Sequence, residues 1–199
     1  MKKLTKEFFA PDTEIVAKNL LWKVIKVWNK YWIIYETEAY KHNCDEASHA
    51  FWRKTPRNSL MYDTYGFVYV YLIYWIHHCL NFTSDEEKPG AVLIRGVIQS
   101  KWIVNSEKWI VENRISGFKQ DWRMMISNWI IDFWKKIDGP GKLTKYFWID
   151  KSFNGLDLEN NDKIQVFDVW LKPTKVDATP RIWISKAKDK PWRFVAEFS

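Results

Sequence analysis

Tyr31-Trp32-Ile33-Ile34-Tyr35-Glu36-Thr37-Glu38-Ala39-Tyr40 is the stretch that sets the architecture of this chain. Its first half is β-branched and aromatic, which predicts a buried strand. Strand side chains alternate between faces, so Glu36, Glu38 and Tyr40 share one face while Thr37 and Ala39 take the other. A carboxylate then lies one strand step from an aromatic ring. A general base beside a flat stacking surface suits hydrolysis at a planar substrate. The competing reading is an edge strand with solvated carboxylates, because charged side chains are mostly exposed.

Outward from that strand the pattern is mixed. Asp12 or Thr13 caps a predicted helix running from 14 to about 21. Residues 23–27 read as a strand that turns at Asn29-Lys30 into the opening stretch. Residues 41–58 are polar, with a short helical turn expected at 45–49. Residues 66–74 alternate as a strand, bend at Tyr74-Trp75, and continue as a second strand over 76–82. A charged loop at 85–90 leads into a central strand over 91–97. Residues 105–138 are expected to be mainly helical, and Gly139-Pro140-Gly141 breaks the chain before another short helix. Strand-like pieces follow at 164–167, 181–184 and 193–198. Together these elements predict one α+β domain spanning 1–199, with 1–6 as a basic lead-in.

Composition narrows the function classes. The 199 residues, 47% hydrophobic, suffice for one domain with a sizeable core. The apolar run at 68–76 is too short to span a bilayer, so no membrane role is expected. Lys6, Glu7 and Pro11 interrupt any signal-peptide core. Cys44 and Cys79 form no CxxC, and a reducing cytoplasm is the default. The net charge of +7 suits a polyanionic partner. His77-His78-Cys79 invites a metal site, but adjacent strand residues point to opposite faces, so none is expected.

Eight blocks carry further information: Glu-Thr-Glu-Ala-Tyr (36–40), Asp-Glu-Ala-Ser-His (45–49), Thr-Pro-Arg-Asn (55–58), Tyr-Val-Tyr-Leu-Ile-Tyr (69–74), His-Cys-Leu-Asn (78–81), Val-Leu-Ile-Arg (92–95), Gly-Pro-Gly-Lys-Leu-Thr (139–144) and Asp-Lys-Ser-Phe (150–153). In this order and spacing, over residues 7–194, the chain resembles the alkyladenine (3-methyladenine) DNA glycosylase family. The resemblance implies a single mixed domain with a curved antiparallel β-sheet core and surrounding helices. It also implies hydrolysis of the N-glycosidic bond of a damaged purine in double-stranded DNA, after the nucleotide is flipped into a pocket. Glu38 matches the base that activates water, and Arg95 the residue that positions that water and the substrate backbone. Tyr40, His49 and Tyr71 match the walls that sandwich the flipped base, Tyr74 the wedge that fills the vacated stack. Asn81 matches the side chain that obstructs the exocyclic amine of guanine. Arg57 and Lys142 are candidates for phosphate contacts. The family needs neither a catalytic metal nor an organic cofactor, and a monomer working in a bacterial cytoplasm is expected.

Physical chemistry agrees. An alkylated purine carries positive charge and leaves readily, so a base and a stacking cage matter more than a strong acid. Stacking on aromatic side chains contributes roughly 1–3 kcal/mol per base, comparable to the cost of unstacking a nucleotide. Each residue also has a plainer reading: Tyr69 and Tyr71 as core, His49 as a surface histidine. Arg95 in an apolar strand needs a partner, and Glu38 is the candidate. Two other functions compete: a non-catalytic binder of damaged duplex, and a carbohydrate hydrolase built on Glu36 and Glu38. The latter needs carboxylates flanking a bond, whereas these two share a strand face.

One feature departs from the resemblance. The chain has 14 Trp and only 7 Gly, and the usual glycine share is roughly 7%, about double. Trp22, Trp32, Trp52, Trp75, Trp148 and Trp183 fall where the family pattern has glycine, while Trp192 matches a family tryptophan. Such exchanges are expected to be ruinous through φ > 0 strain and overpacking. A UGA codon read as glycine in the source cell but translated as tryptophan would explain both counts; lineage drift is the alternative.

Overall fold

The computed structural model describes residues 1–73, 75–100, 133–169 and 172–197. Strand β3 (Lys30–Lys41) is its hub, because it hydrogen-bonds three other strands: β2 (Val24–Val27), β6 (Gly90–Ser100) and β10 (Arg193–Ala196). Beyond β6 lie β5 (His77–Ser84), β4 (Val68–Ile73) and, on a separate branch, β7 (Phe133–Asp138). Beyond β2 lie β8 (Ile164–Asp168) and the two-residue β1 (Lys2–Lys3), and β9 (Val176–Thr179) flanks β10. Every pairing is antiparallel. The result is a curled antiparallel sheet with few helices, a mixed α+β fold.

The curl has a local cause. Between β3 and β6 the register slips twice in succession, from Ile34–Val97 to Glu36–Gly96 and then to Thr37–Ile94. Tyr35 and Arg95 are left outside the regular ladder, as bulges bend strands and re-aim side chains. Gly96 permits this: a Cβ there would stand 2.4 Å from the Tyr35 ring.

Pairing also sorts the residues by face, since directly opposed side chains project the same way. The row Ala39, Val92, Phe82, Val68 belongs to the main hydrophobic core. Against that face pack α1 (Thr13–Asn19) and α3 (Pro140–Phe147), burying Val16, Ala17, Leu143 and Phe147. The Asp12 side chain caps α1 by accepting from the Glu14 N–H at 2.9 Å, and Thr37 donates to the Ala17 carbonyl at 2.8 Å. The neighbouring row, Glu38, Leu93, Asn81, Tyr69, faces the other way. It is roofed by the 41–58 segment and by α2 (Ser59–Asp63).

Two sequence expectations change here. Residues 133–138, expected as helix, form β7, because β6 offers an edge for pairing and Ile137 is buried against the core there. The rest of that expected helix, through 132, lies outside the described residues. Residues 181–184, expected as strand, form a loop, because Arg181 turns inward to a buried ion pair instead of joining a ladder. Among the described residues no helix is long and apolar enough to cross a membrane.

Candidate active site

Three strands bring four charges together. Glu36 and Glu38 come from β3, Arg95 from β6 and Arg193 from β10, where it sits in register with Glu38. The edge-strand reading of these acids is corrected: Glu36 is 5% exposed and Glu38 0%. Strand parity places them on one face, where Arg95, Arg193, Tyr40 and the Ile182 amide engage them.

The Glu38 carboxylate receives a hydrogen bond at each oxygen. Tyr40 donates its hydroxyl to Oε2 at 2.8 Å, and the Ile182 backbone N–H donates to Oε1 at 2.8 Å. Arg95 Nε lies 3.5 Å from the same Oε1, but it is closer to Glu36, at 3.1 Å. Glu36 therefore shares the partner that sequence logic gave to Glu38 alone. Arg193 donates to the same Glu36 oxygen at 2.7 Å. Burial pushes the Glu38 carboxyl above the ordinary carboxylate range, while Arg95, the Ile182 N–H, Tyr40 and Arg181 hold it back. Burial also raises the Tyr40 hydroxyl well above its ordinary value, with the Glu38 charge adding to the effect, so the phenol stays protonated and able to donate.

Next to Tyr40, the hydrogen-bond partner of Glu38, lies a narrow cleft that is open to solvent. Tyr40, His49, Tyr69, Tyr71 and Asn81 line it, with Ala47, Met61 and Ala91. Tyr69 and Asn81 are directly paired across β4 and β5, and Tyr71 faces Cys79 one step along. The His49 and Tyr71 rings meet edge to face at 4.5 Å, and His49 Nδ1 lies 2.9 Å from the Tyr69 hydroxyl. Burial, and then Arg57, pushes the imidazole down to about 4, so His49 is neutral at neutral pH. Asn81 donates its amide hydrogens to the Tyr69 and Cys79 carbonyls at 3.0 and 3.3 Å. Its side-chain oxygen is what remains for the cleft.

Arg57 and Lys142 do not line the cleft. Arg57 stands over the Tyr71 ring at 5.7 Å. Lys142 is exposed on α3 and ion-paired with Asp138 at 2.8 Å, away from the cleft lining. Tyr74 lies outside the described residues; its neighbour Trp75 is 92% exposed.

The span that holds all eight blocks also matches a known family as a whole. The methylpurine-DNA glycosylase family model matches residues 7–199. This chain belongs to that family. A protein of Rickettsia bellii named "Putative 3-methyladenine DNA glycosylase" is 40% identical over 205 residues, covering 96% of this chain and 91% of its own length. Proteins of the same name from Rickettsia typhi and Sodalis glossinidius are each 38% identical, covering 96% of this chain and 91% and 95% of themselves.

In this methylpurine-DNA glycosylase relative, sequence reasoning missed the parts that hold Glu38 and Tyr40 from outside the strand. Arg181 is wholly buried, grips Asp45 with two hydrogen bonds of 2.5 and 2.6 Å, and donates to the Ala39 carbonyl at 2.9 Å. Its guanidinium stacks over the Tyr40 ring at 4.6 Å. The signal was present: an arginine inside Thr-Pro-Arg-Ile-Trp-Ile demands a buried partner just as Arg95 does. Arg193, in Pro-Trp-Arg-Phe, offered the same clue. The Ile182 amide carries no side-chain signature.

Proposed function

We propose that the chain is a DNA glycosylase that excises alkylated or deaminated purines from duplex DNA and leaves an abasic site. The observation that carries the reading is Glu38: a buried carboxylate with raised proton affinity, held by Ile182 and by Tyr40, whose ring lines an aromatic cleft. The flipped purine stacks among Tyr40, His49 and Tyr71. Glu38 accepts a proton from water, the water oxygen bonds to the sugar C1′, and the C1′–N bond breaks with its electron pair leaving on the purine. For an alkylated purine that pair cancels the positive charge of the base. Arg95 orients the water and the nearby backbone, and Tyr74 fills the gap in the stack. Neutral His49 suits a wall facing a cationic base, where an imidazolium would repel it. The Asn81 side chain, whose amide hydrogens are engaged, blocks the exocyclic amine of guanine.

The test is Glu38→Gln, assayed for excision and for binding to duplexes carrying 3-methyladenine, 7-methylguanine, hypoxanthine or ethenoadenine. Loss of excision with retained binding supports the reading, since a general base contributes on the order of 10²–10⁴ in rate. Excision by the variant at the parent's rate would falsify it. Binding of damaged duplex by a parent chain that excises nothing would leave the non-catalytic binder.

A further inference from the structure

Backbone conformation separates most of the described tryptophans from ordinary ones. Among the described residues, eight non-glycine positions have positive φ: Trp22, Trp28, Asn43, Trp75, Asp85, Trp148, Trp183 and Ala187. Five of the eight are tryptophan. Asn and Asp enter this region with some ease, but for a bulky side chain it is a steric outlier, and glycine is the residue that occupies it freely. Trp192 is not in the set; it is buried against Arg181.

Four of the five stand in turns and the fifth in a bend. Trp22, φ 66°, ends the exit from α1 and donates to the Ile34 carbonyl at 2.7 Å. Trp28, φ 56°, is the first residue of the two-residue loop joining β2 to β3, a place where hairpin geometry asks for glycine. Trp75, φ 61°, is the third residue of the turn that the Ile76 N–H closes on the Ile73 carbonyl at 3.2 Å. Trp148, φ 58°, ψ 40°, closes α3. There the Ile149 N–H reaches the Thr144 carbonyl and the Trp148 N–H the Lys145 carbonyl, a Schellman end whose left-handed residue is usually glycine. Trp183, φ 64°, directly follows the amide that donates to Glu38.

At three of the five, burial does not compensate the strain. Trp75, Trp148 and Trp183 are 92%, 78% and 88% exposed, so their rings gain little from packing. Strain kept for function gathers at one site, whereas these positions lie on four separate turns and a bend. We propose that residues 22, 28, 75, 148 and 183 are glycine in the natural protein, encoded by UGA codons that the source cell reads as glycine. The assignment is independent of the proposed function. It adds Trp28 to the positions singled out by resemblance and leaves out Trp32 and Trp52, whose φ is ordinary. At 183 it bears on the reaction, because a glycine there lets the loop present the Ile182 amide to Glu38 without strain.

Three measurements decide it. In the native protein, peptides spanning the five positions carry the glycine mass while the peptide spanning 192 carries tryptophan; in the gene, the five codons are UGA and codon 192 is UGG. Tryptophan at any of the five positions overturns the assignment. In recombinant chain, the triple exchange Trp75→Gly, Trp148→Gly and Trp183→Gly raises Tm by about 2–4 °C per position, while Trp192→Gly lowers it. Trp22 is left out of this arm because it is buried, and its removal would open a cavity. An unchanged or lowered Tm in the triple variant overturns the strain argument.

Discussion

The two sides of the cleft handle charge in opposite ways. On the β3 side, Glu36, Glu38, Arg95, Asp45 and Arg181 are buried and matched with one another. On the β4 side, burial strips the charge instead, and His49 is held neutral against Tyr69 and Tyr71. A base must be ionised to take a proton, so its side needs compensating cations. A wall that stacks on a cationic purine must carry no charge of its own. Under the proposed reading one sheet face meets both demands: β3 supplies the acids and β6 Arg95, loops supply Asp45, Arg181 and His49, and β4 supplies the tyrosines.

Exchanges that break this contrast most should cost most. Glu38→Gln removes the ionised group and is expected to lower excision by about 10²–10⁴-fold. The same variant should be more stable than the parent at neutral pH. The raised pKa of Glu38 means the native state holds its proton above the pH at which the unfolded chain releases it, so stability falls as pH rises through that window. Thermal melts at acid and neutral pH check this: the gain should vanish where the carboxyl is protonated in both states. Next in size is Asp45→Asn, which strands the wholly buried Arg181. Its expected cost is about 3–5 kcal/mol in chemical denaturation, with loosening of Tyr40, over whose ring that guanidinium lies.

The neutral side predicts the reverse pH dependence. His49 is pushed from 6.5 down to about 4, so the unfolded chain binds a proton that the native state refuses. Stability therefore falls as pH drops from 6.5 towards 4, by up to about 3 kcal/mol from this residue. In His49→Phe that part of the acid slope should disappear from a series of denaturation curves; an unchanged slope would mean that His49 is protonated in the fold.

What could be read in advance follows from range. Period-two alternation put Glu36, Glu38 and Tyr40 on one face, and the structure keeps them there. The general exposure of charged side chains made the acids look solvated, because nothing in the neighbouring sequence announces the roof. That roof is the 41–63 segment and a loop whose Ile182 amide binds Glu38 across 144 positions. The bulges that free Tyr35 and Arg95 were also illegible, since they need the partner strand and the gap at Gly96. Composition flagged the tryptophans and the resemblance named six of them; backbone dihedrals keep Trp22, Trp75, Trp148 and Trp183, set Trp32 and Trp52 apart, and add Trp28.

Arg193 offers the finest adjustment of the charged side. It shares Glu36 Oε1 with Arg95 and is steadied by its bond to the Thr179 hydroxyl at 3.0 Å. Without it, Glu36 depends on Arg95 alone, and the guanidinium that lies between the two acids is drawn towards Glu36. Glu38 then loses part of the cation that holds its proton affinity down. In Arg193→Ala the acid limb of the pH–rate profile should move upward, by less than about one pH unit because a half-buried pair contributes on the order of 1 kcal/mol. Arg193→Lys should restore most of the shift, whereas a purely structural loss would lower the rate equally at every pH. An acid limb that stays in place, with Glu38 still required, would mean that Glu36 and Arg95 set the base without help from β10.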